Sequence, residues 1–307
     1  MWRTVEGAST SGHTGPSAVT IGSFDGVHRG HQAVIAATRE AAGGLPVVAV
    51  TFHPHPMAVL APDREPRRLT TIERRVELLH EHGADEVRVL AFDRDMAAWS
   101  PEDFVQRTLV EALSASVVAV GENFRFGSRA AGTCSVLRTL GAQHGFDVTE
   151  LRLEGEETPF SSTLVRGYVA EGNLPAAAQV LGRPHEVSGI VSRGDQRGRE
   201  LGFPTANVPV DERFAVPPDG VYAGRLVVDG ERLPAAISVG TNPTFEGVVG
   251  RRVESYVIDH GHALDLYDRA VRVELVQQLR GMVAFDSVDT LVEQMHQDVS
   301  DARTLLR

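Results

Sequence analysis

At 307 residues the chain is long enough for two domains with separate cores. Its 42% hydrophobic and 23% charged residues argue against disorder, and a net charge of −11 disfavours a nucleic-acid polymer as partner. All 30 basic residues are Arg, which excludes a P-loop lysine, a protein-kinase strand lysine and Schiff-base chemistry together.

The lone Cys134 excludes an intramolecular disulfide and a thiolate metal cluster. It is expected as a small buried core residue in a reducing compartment. No apolar run approaches the roughly 18–20 residues needed to cross a bilayer. Residues 1–15 carry no basic-then-apolar signal and read as a loose polar arm. The expectation is a cytoplasmic protein without a membrane partner, with homo-oligomerisation left open.

In chain order, residues 18–21, 46–52, 86–92, 117–120 and 147–151 are short apolar runs that predict buried strands. Between them lie helical stretches. Residues 72–80 stop before Gly83. Residues 101–113 open with Ser100 as N-cap and Pro101 as first helical residue. Residues 133–144 end at Gly145. Such alternation predicts an α/β doubly wound parallel sheet over residues 16–183.

Beyond Gly182 the texture becomes β-rich, with strands predicted at 187–191, 221–228, 233–239, 253–258 and 271–275. Asp229-Gly230 is a hairpin signal. From Ser287 a helix carries Val288, Leu291, Val292, Met295 and Val299 on one face. Residues 184–307 therefore read as a small antiparallel β-barrel or sandwich with a C-terminal helix.

In the first domain every unusual segment follows the carboxyl end of a strand, where open α/β sheets bind ligands. Gly22, Gly26 and Gly30 let backbone approach a ligand, with Phe24 among them, and a helix start offers N–H groups to phosphate. His28 and His31 share one face there and can stabilise charge on a phosphate. An isolated pair would read as surface or satisfied core histidines; the flanking glycines reverse that. No third ligand supports a metal. Asn123, Phe124 and Phe126 suit a planar ring, with at least one Phe expected in the core. Ser161, Ser162 and Thr163 read first as an N-cap, and Arg166 one turn on makes a phosphate clamp plausible.

In the second domain Gly194, Gly198 and Gly202 lie in an Arg-bearing loop able to wrap phosphates. Thr205 and Asn207 alternate onto one side of an extended segment and offer oxygens acceptable to Mg²⁺. Glu254 lies in a strand, where a glutamate is usually solvated. Tyr256 and Ile258 share its side, which points it into a closed barrel as a base.

The strings GSFDGVHRGH, FHPHP, GENFRFG and FSSTLVR, in this order, resemble the adenylyltransferase half of bacterial bifunctional riboflavin kinase/FAD synthetases. GRELGFPTAN, DGVYAG, VGTNPTF, VESYVID and LDLYD resemble the riboflavin kinase domain. The resemblance covers about residues 19–306. It implies that ATP is a co-substrate and Mg²⁺ the metal, and that riboflavin, FMN and FAD are the other small molecules bound. It implies that His28, His31, Ser162 and Arg166 engage ATP phosphates in the first domain. Phe52, Pro54, His55 and Asn123 would line the flavin side, with Phe126, Phe203 and Arg280 as further flavin contacts. It makes Glu254 the kinase base, and Thr205 and Asn207 the Mg-ATP positions. Ser23, Thr133 and Asp268 depart from the family's usual Asn, acidic residue and Gly. Two other readings stand beside this one: an enzyme with one live domain, and a non-enzymatic flavin-binding protein.

Overall fold

The predicted segments form the strands β1 (Ser17–Ile21), β2 (Val47–His53), β3 (Glu86–Ala91), β4 (Ala115–Gly121) and β5 (Asp147–Leu151), the last a half-exposed edge strand rather than the buried one expected. All pair in parallel in the order β3-β2-β1-β4-β5, so the order reverses between β1 and β4. The computed structural model describes residues 1–9, 15–151, 159–193, 201–241, 251–259 and 265–307. They pack as two compact units, residues 1–66 with 71–161, and residues 67–70 with 162–307.

Helices α1 (Arg29–Ala41), α2 (Pro56–Leu60), α3 (Ile72–Glu81), α4 (Arg94–Ala97), α5 (Pro101–Phe104) and α6 (Cys134–His144) connect these strands. Ser100 and Asp103 close a reciprocal capping box on α5, as its sequence demands. The predicted single helix over 101–113 instead continues as a π-helix through Val105–Ala112. Thr133 caps α6 by accepting a bond from the Val136 amide. Cys134 is 5% exposed, as expected of a core thiol.

The N-terminal arm is not loose over residues 1–9. The Arg3 amide donates to Val89, the Ala91 amide to Met1 and the Ser9 amide to Val87, so the arm runs along edge strand β3. Trp2 packs against the core and beneath the buried Arg88 guanidinium. A sheet edge left open is a liability, and the arm covers it.

The second unit holds helices α7 (Ser162–Ala170) and α8 (Leu174–Leu181) and strands β6 (His185–Ile190), β7 (Ala206–Val210), β8 (Gly220–Val228), β9 (Glu231–Thr241), β10 (Arg251–Val257) and β11 (Ala270–Gly281). Their order is β6-β11-β8-β9-β10-β7, and an isolated bridge between Ser192 and Asn207 nearly closes the barrel. Asp229 (φ 50°) and Gly230 (φ 83°) form the two-residue turn of the β8–β9 hairpin, where both residues need positive φ. Asp268, at φ 62°, occupies the conformation that explains a usual Gly there. Helix α9 (Val288–Leu305), capped by Ser287, lies on the outer face against Ala223, Ala236 and Ile258. The expected apolar face is only partly covered, because Val288 stays 59% exposed.

Candidate functional sites

In the first unit the chain leaves β1 at Gly22 and enters α1 at Arg29. Phe24 (φ 48°), Gly26 (φ 83°) and Val27 (φ 40°) all take left-handed backbone. For Phe and Val this costs about 1–2 kcal/mol each, sustained by their near-complete burial. The loop presents His28 at the helix N-cap, where its side chain makes no capping bond. The His28 and His31 rings stack at 3.6 Å between centroids, and Phe24 meets His31 edge-on at 5.1 Å.

Gly30 leaves little room for a side chain. A Cβ there would stand 3.1 Å from the His28 ring and 3.4 Å from the Phe160 carbonyl. The backbone just before Ser161 thus lies against the histidine loop. Burial, then the neighbouring His28, then the Arg75 charge hold the His31 imidazole well below its usual range. His31 is therefore neutral at pH 7, and its buried Nδ1 has no hydrogen-bond partner among the described residues.

Beside this loop lies a cavity of about 680 Å³. Gly22, Ser23, Phe52, His55, Asn123 and Phe126 are on its wall, while Pro54, joined to His53 by a cis peptide, is not. Phe124 and Phe126 stack at 5.4 Å, and Phe126 is 6% exposed, so it serves both core and wall. Sequence reasoning missed Met57, Leu60, Met96 and Trp99, which also line the cavity. The edge rule would have found all four, since Met57 and Leu60 follow the carboxyl end of β2 and Met96 and Trp99 that of β3.

Ser161 closes the first unit, whereas Ser162, Thr163 and Arg166 sit on α7 in the second. There the Arg166 Nε donates to the Arg67 carbonyl at 2.6 Å.

In the second unit β10 pairs with β7 and β9, placing Glu254 directly opposite Asn207 on one side and Ser238 on the other. Val253 and Val257 enter the barrel core, so Glu254 faces outward, with Asn207. The expected interior position is thereby overturned: Tyr256, on Glu254's side, packs with α9 rather than inside the barrel. Asn207 Nδ2 donates to the Thr205 carbonyl at 3.2 Å and to its hydroxyl at 3.3 Å.

Phe203 is buried between Tyr256 (5.1 Å) and His296 of α9 (5.0 Å). Arg280 donates to both carboxylate oxygens of buried Asp298 on α9. Gly202 takes φ 87°; Gly194 and Gly198 lie outside the described residues. Among the described residues no group of three His, Cys, Asp or Glu could hold a metal. The Thr205 hydroxyl and Asn207 side-chain amide nonetheless offer two neighbouring hard oxygens. That pair fits Mg²⁺, which takes few protein ligands and keeps its waters and substrate phosphates.

A family profile for FAD synthetase matches residues 11–164 and one for riboflavin kinase residues 181–306. The Escherichia coli K12 bifunctional riboflavin kinase/FMN adenylyltransferase is 39% identical over 289 residues, covering 93% of this chain and 91% of that protein. Its namesakes from Pseudomonas fluorescens and Bacillus subtilis are 37% and 32% identical, each covering 93% of this chain and 92% and 91% of their own. A Streptococcus pneumoniae crystal structure described as a macrolide-efflux protein superposes with TM-score 0.83 at 32% identity, over 95% of both chains. Among the described residues no helix is long and apolar enough to cross a membrane.

Proposed function

The chain belongs to the family of bifunctional riboflavin kinase/FMN adenylyltransferases, and from that premise we propose how its residues divide the two reactions. It phosphorylates riboflavin to FMN and adenylylates FMN to FAD, with ATP as co-substrate of both. We assign adenylyl transfer to residues 16–183 and the kinase to residues 184–307. The observation that carries this division is that the stacked His28–His31 pair lies in one compact unit and the Glu254–Asn207 ladder pair in the other.

In the kinase, Glu254 takes the proton from the terminal ribityl hydroxyl as its oxygen attacks the γ-phosphorus, and ADP leaves. Thr205 and Asn207 would hold Mg²⁺, which when bound neutralises charge on the phosphates. Gly202 brings its backbone N–H group to ATP. Phe203 and Arg280 support the flavin, Phe203 by packing beneath Tyr256 and Arg280 from its place against α9.

In adenylyl transfer an FMN phosphate oxygen attacks the α-phosphorus and pyrophosphate leaves. That oxygen is already ionised, so positioning and charge stabilisation suffice. His28 and His31 supply donors at the phosphates, and Gly22, Phe24, Gly26, Gly30 and Ser161 shape the approach. FMN occupies the cavity, its ring against Phe52, His55, Asn123 and Phe126, with Pro54 shaping the turn behind them. The single thiol suits work in the cytoplasm.

Incubation with riboflavin, ATP and Mg²⁺, followed by chromatography, should yield FMN, then FAD with pyrophosphate. FMN alone, FAD only from supplied FMN, or bound but unconverted flavin would each overturn the bifunctional reading.

A further inference from the structure

Asp25 and Arg75 are buried ionisable groups that the chemistry above does not use. Asp25 belongs to the histidine loop and Arg75 to α3, 50 positions away. Their ion pair spans 3.3 Å, with side chains 1% and 3% exposed. A buried ion pair adds little net stability over an apolar pair of the same volume, so its presence calls for a reason other than stability.

The same guanidinium also donates to the Thr51 hydroxyl at 3.5 Å and the Phe52 carbonyl at 3.4 Å, at the end of β2. The Thr51 hydroxyl in turn donates to the Ser23 carbonyl at 3.0 Å. Ser23 and Phe52 are both on the cavity wall. One planar fork therefore ties the loop that carries the histidines to the strand end that carries the flavin wall.

We propose that the Asp25–Arg75 pair, with Thr51, is the positioning device of adenylyl transfer, fixing the histidine loop relative to the flavin cavity. The FMN phosphate must meet the α-phosphorus within a few tenths of an ångström, and a misplacement of about 1 Å can cost about 10²-fold in rate. A fork with contacts on both segments suits this task better than a lysine's single point charge. The Arg75 charge, after burial and His28, also helps keep His31 neutral. The groups facing His31 are thus His28 from the loop, Arg75 from α3, and Asp25 beside Arg75.

This inference rests on the assignment of His28 and His31 to adenylyl transfer, and its test separates the two. FAD formation from supplied FMN is measured for Arg75→Gln, Arg75→Lys, Thr51→Val and Thr51→Ser, with FMN formation as the control for an intact second unit. Arg75→Gln should lower kcat for FAD by about 10–100-fold, the usual worth of groups that orient a site's contacting residues. Arg75→Lys should recover only part of this, because it restores charge without the fork. Thr51→Val should cost several-fold and Thr51→Ser little.

The His31 imidazole, followed by NMR, should titrate at higher pH in Arg75→Gln than in the parent, and in Arg75→Lys as in the parent. A purely structural role would not produce that pattern. If Arg75→Gln does not fold, Thr51→Val against Thr51→Ser decides. Unchanged FAD kinetics in folded Arg75→Gln, or in Thr51→Val, overturn the inference. If His31→Ala is also without effect, the histidine assignment itself has failed.

Discussion

The two units handle the same nucleotide with opposite architectures. In the first, the residues assigned to adenylyl transfer sit on the loop after β1 and in the first turn of α1, at the carboxyl edge of a parallel sheet, with a left-handed backbone at Phe24 and Val27. In the second, Glu254 and Asn207 stand opposite each other on the outer face of a barrel, on strands whose ladders fix them without strain, with Thr205 just ahead of β7. The difference suits the chemistry assigned to each unit. Phosphoryl transfer to a hydroxyl needs a base and a metal, which a half-open strand face can offer. Adenylyl transfer to a phosphate needs no base, only donors held in place, and a buried loop holds them best.

The sharpest break in this comparison is removal of the base. Glu254→Gln should lower FMN formation by about 10²–10⁴-fold, the usual worth of general-base catalysis, while FAD formation from supplied FMN survives. His31→Ala should do the reverse, with FMN accumulating and FAD formation down by about 10²–10³-fold, comparable to losing one oxyanion donor. Chromatography of both products from both variants, after circular dichroism confirms folding, tests the division. Loss of both activities from either folded variant would show that the units are not independent catalysts.

Smaller effects sharpen it. Asn207→Ala should weaken Mg-ATP use in FMN formation by about 10-fold and leave FAD formation alone. An unchanged Mg²⁺ titration of the kinase would remove Asn207 from the metal site. Asp298→Asn loses charge-assisted bonds to Arg280 worth about 1–3 kcal/mol. It should loosen α9 and raise KM for riboflavin several-fold more than it lowers kcat, with FAD formation again the unaffected control.

Much of the sheet architecture was legible because apolar runs and helix caps are local signals. Ser100, Thr133 and Ser287 cap where their spacing demands, and Asp229-Gly230 turns where it must. What was hidden is what only tertiary packing decides. Tyr256 and Ile258 beside Glu254 signalled a buried face correctly, but periodicity cannot say whether the barrel interior or a helix laid outside does the burying. The arm of residues 1–9 has no periodic pattern, and only the exposed edge of β3 makes it a strand partner. Asp25 and Arg75 are 50 residues apart, and no spacing rule connects them.

The mildest test uses pH, and the chain provides its own reporter. Both tryptophans, Trp2 and Trp99, belong to the first unit and all four tyrosines to the second, so selectively excited tryptophan fluorescence follows the first unit alone. His31 is held below its unfolded value of about 6.5, chiefly by burial, so the unfolded chain binds its proton first. Above that pH His31 costs the fold nothing; as pH falls through it, the native state is increasingly disfavoured. In the second unit Arg213 holds Asp211 down to about 2, so the stability from that pair is complete above about 4 and is lost only as pH falls through 2. Between pH 7 and 5 the fluorescence-detected melting temperature should therefore fall more than that of the second unit, followed by residual kinase activity after heating. His31→Gln, which cannot take up the proton, should narrow the gap. Equal acid shifts in the parent and His31→Gln would mean that His31 already titrates normally in the folded chain.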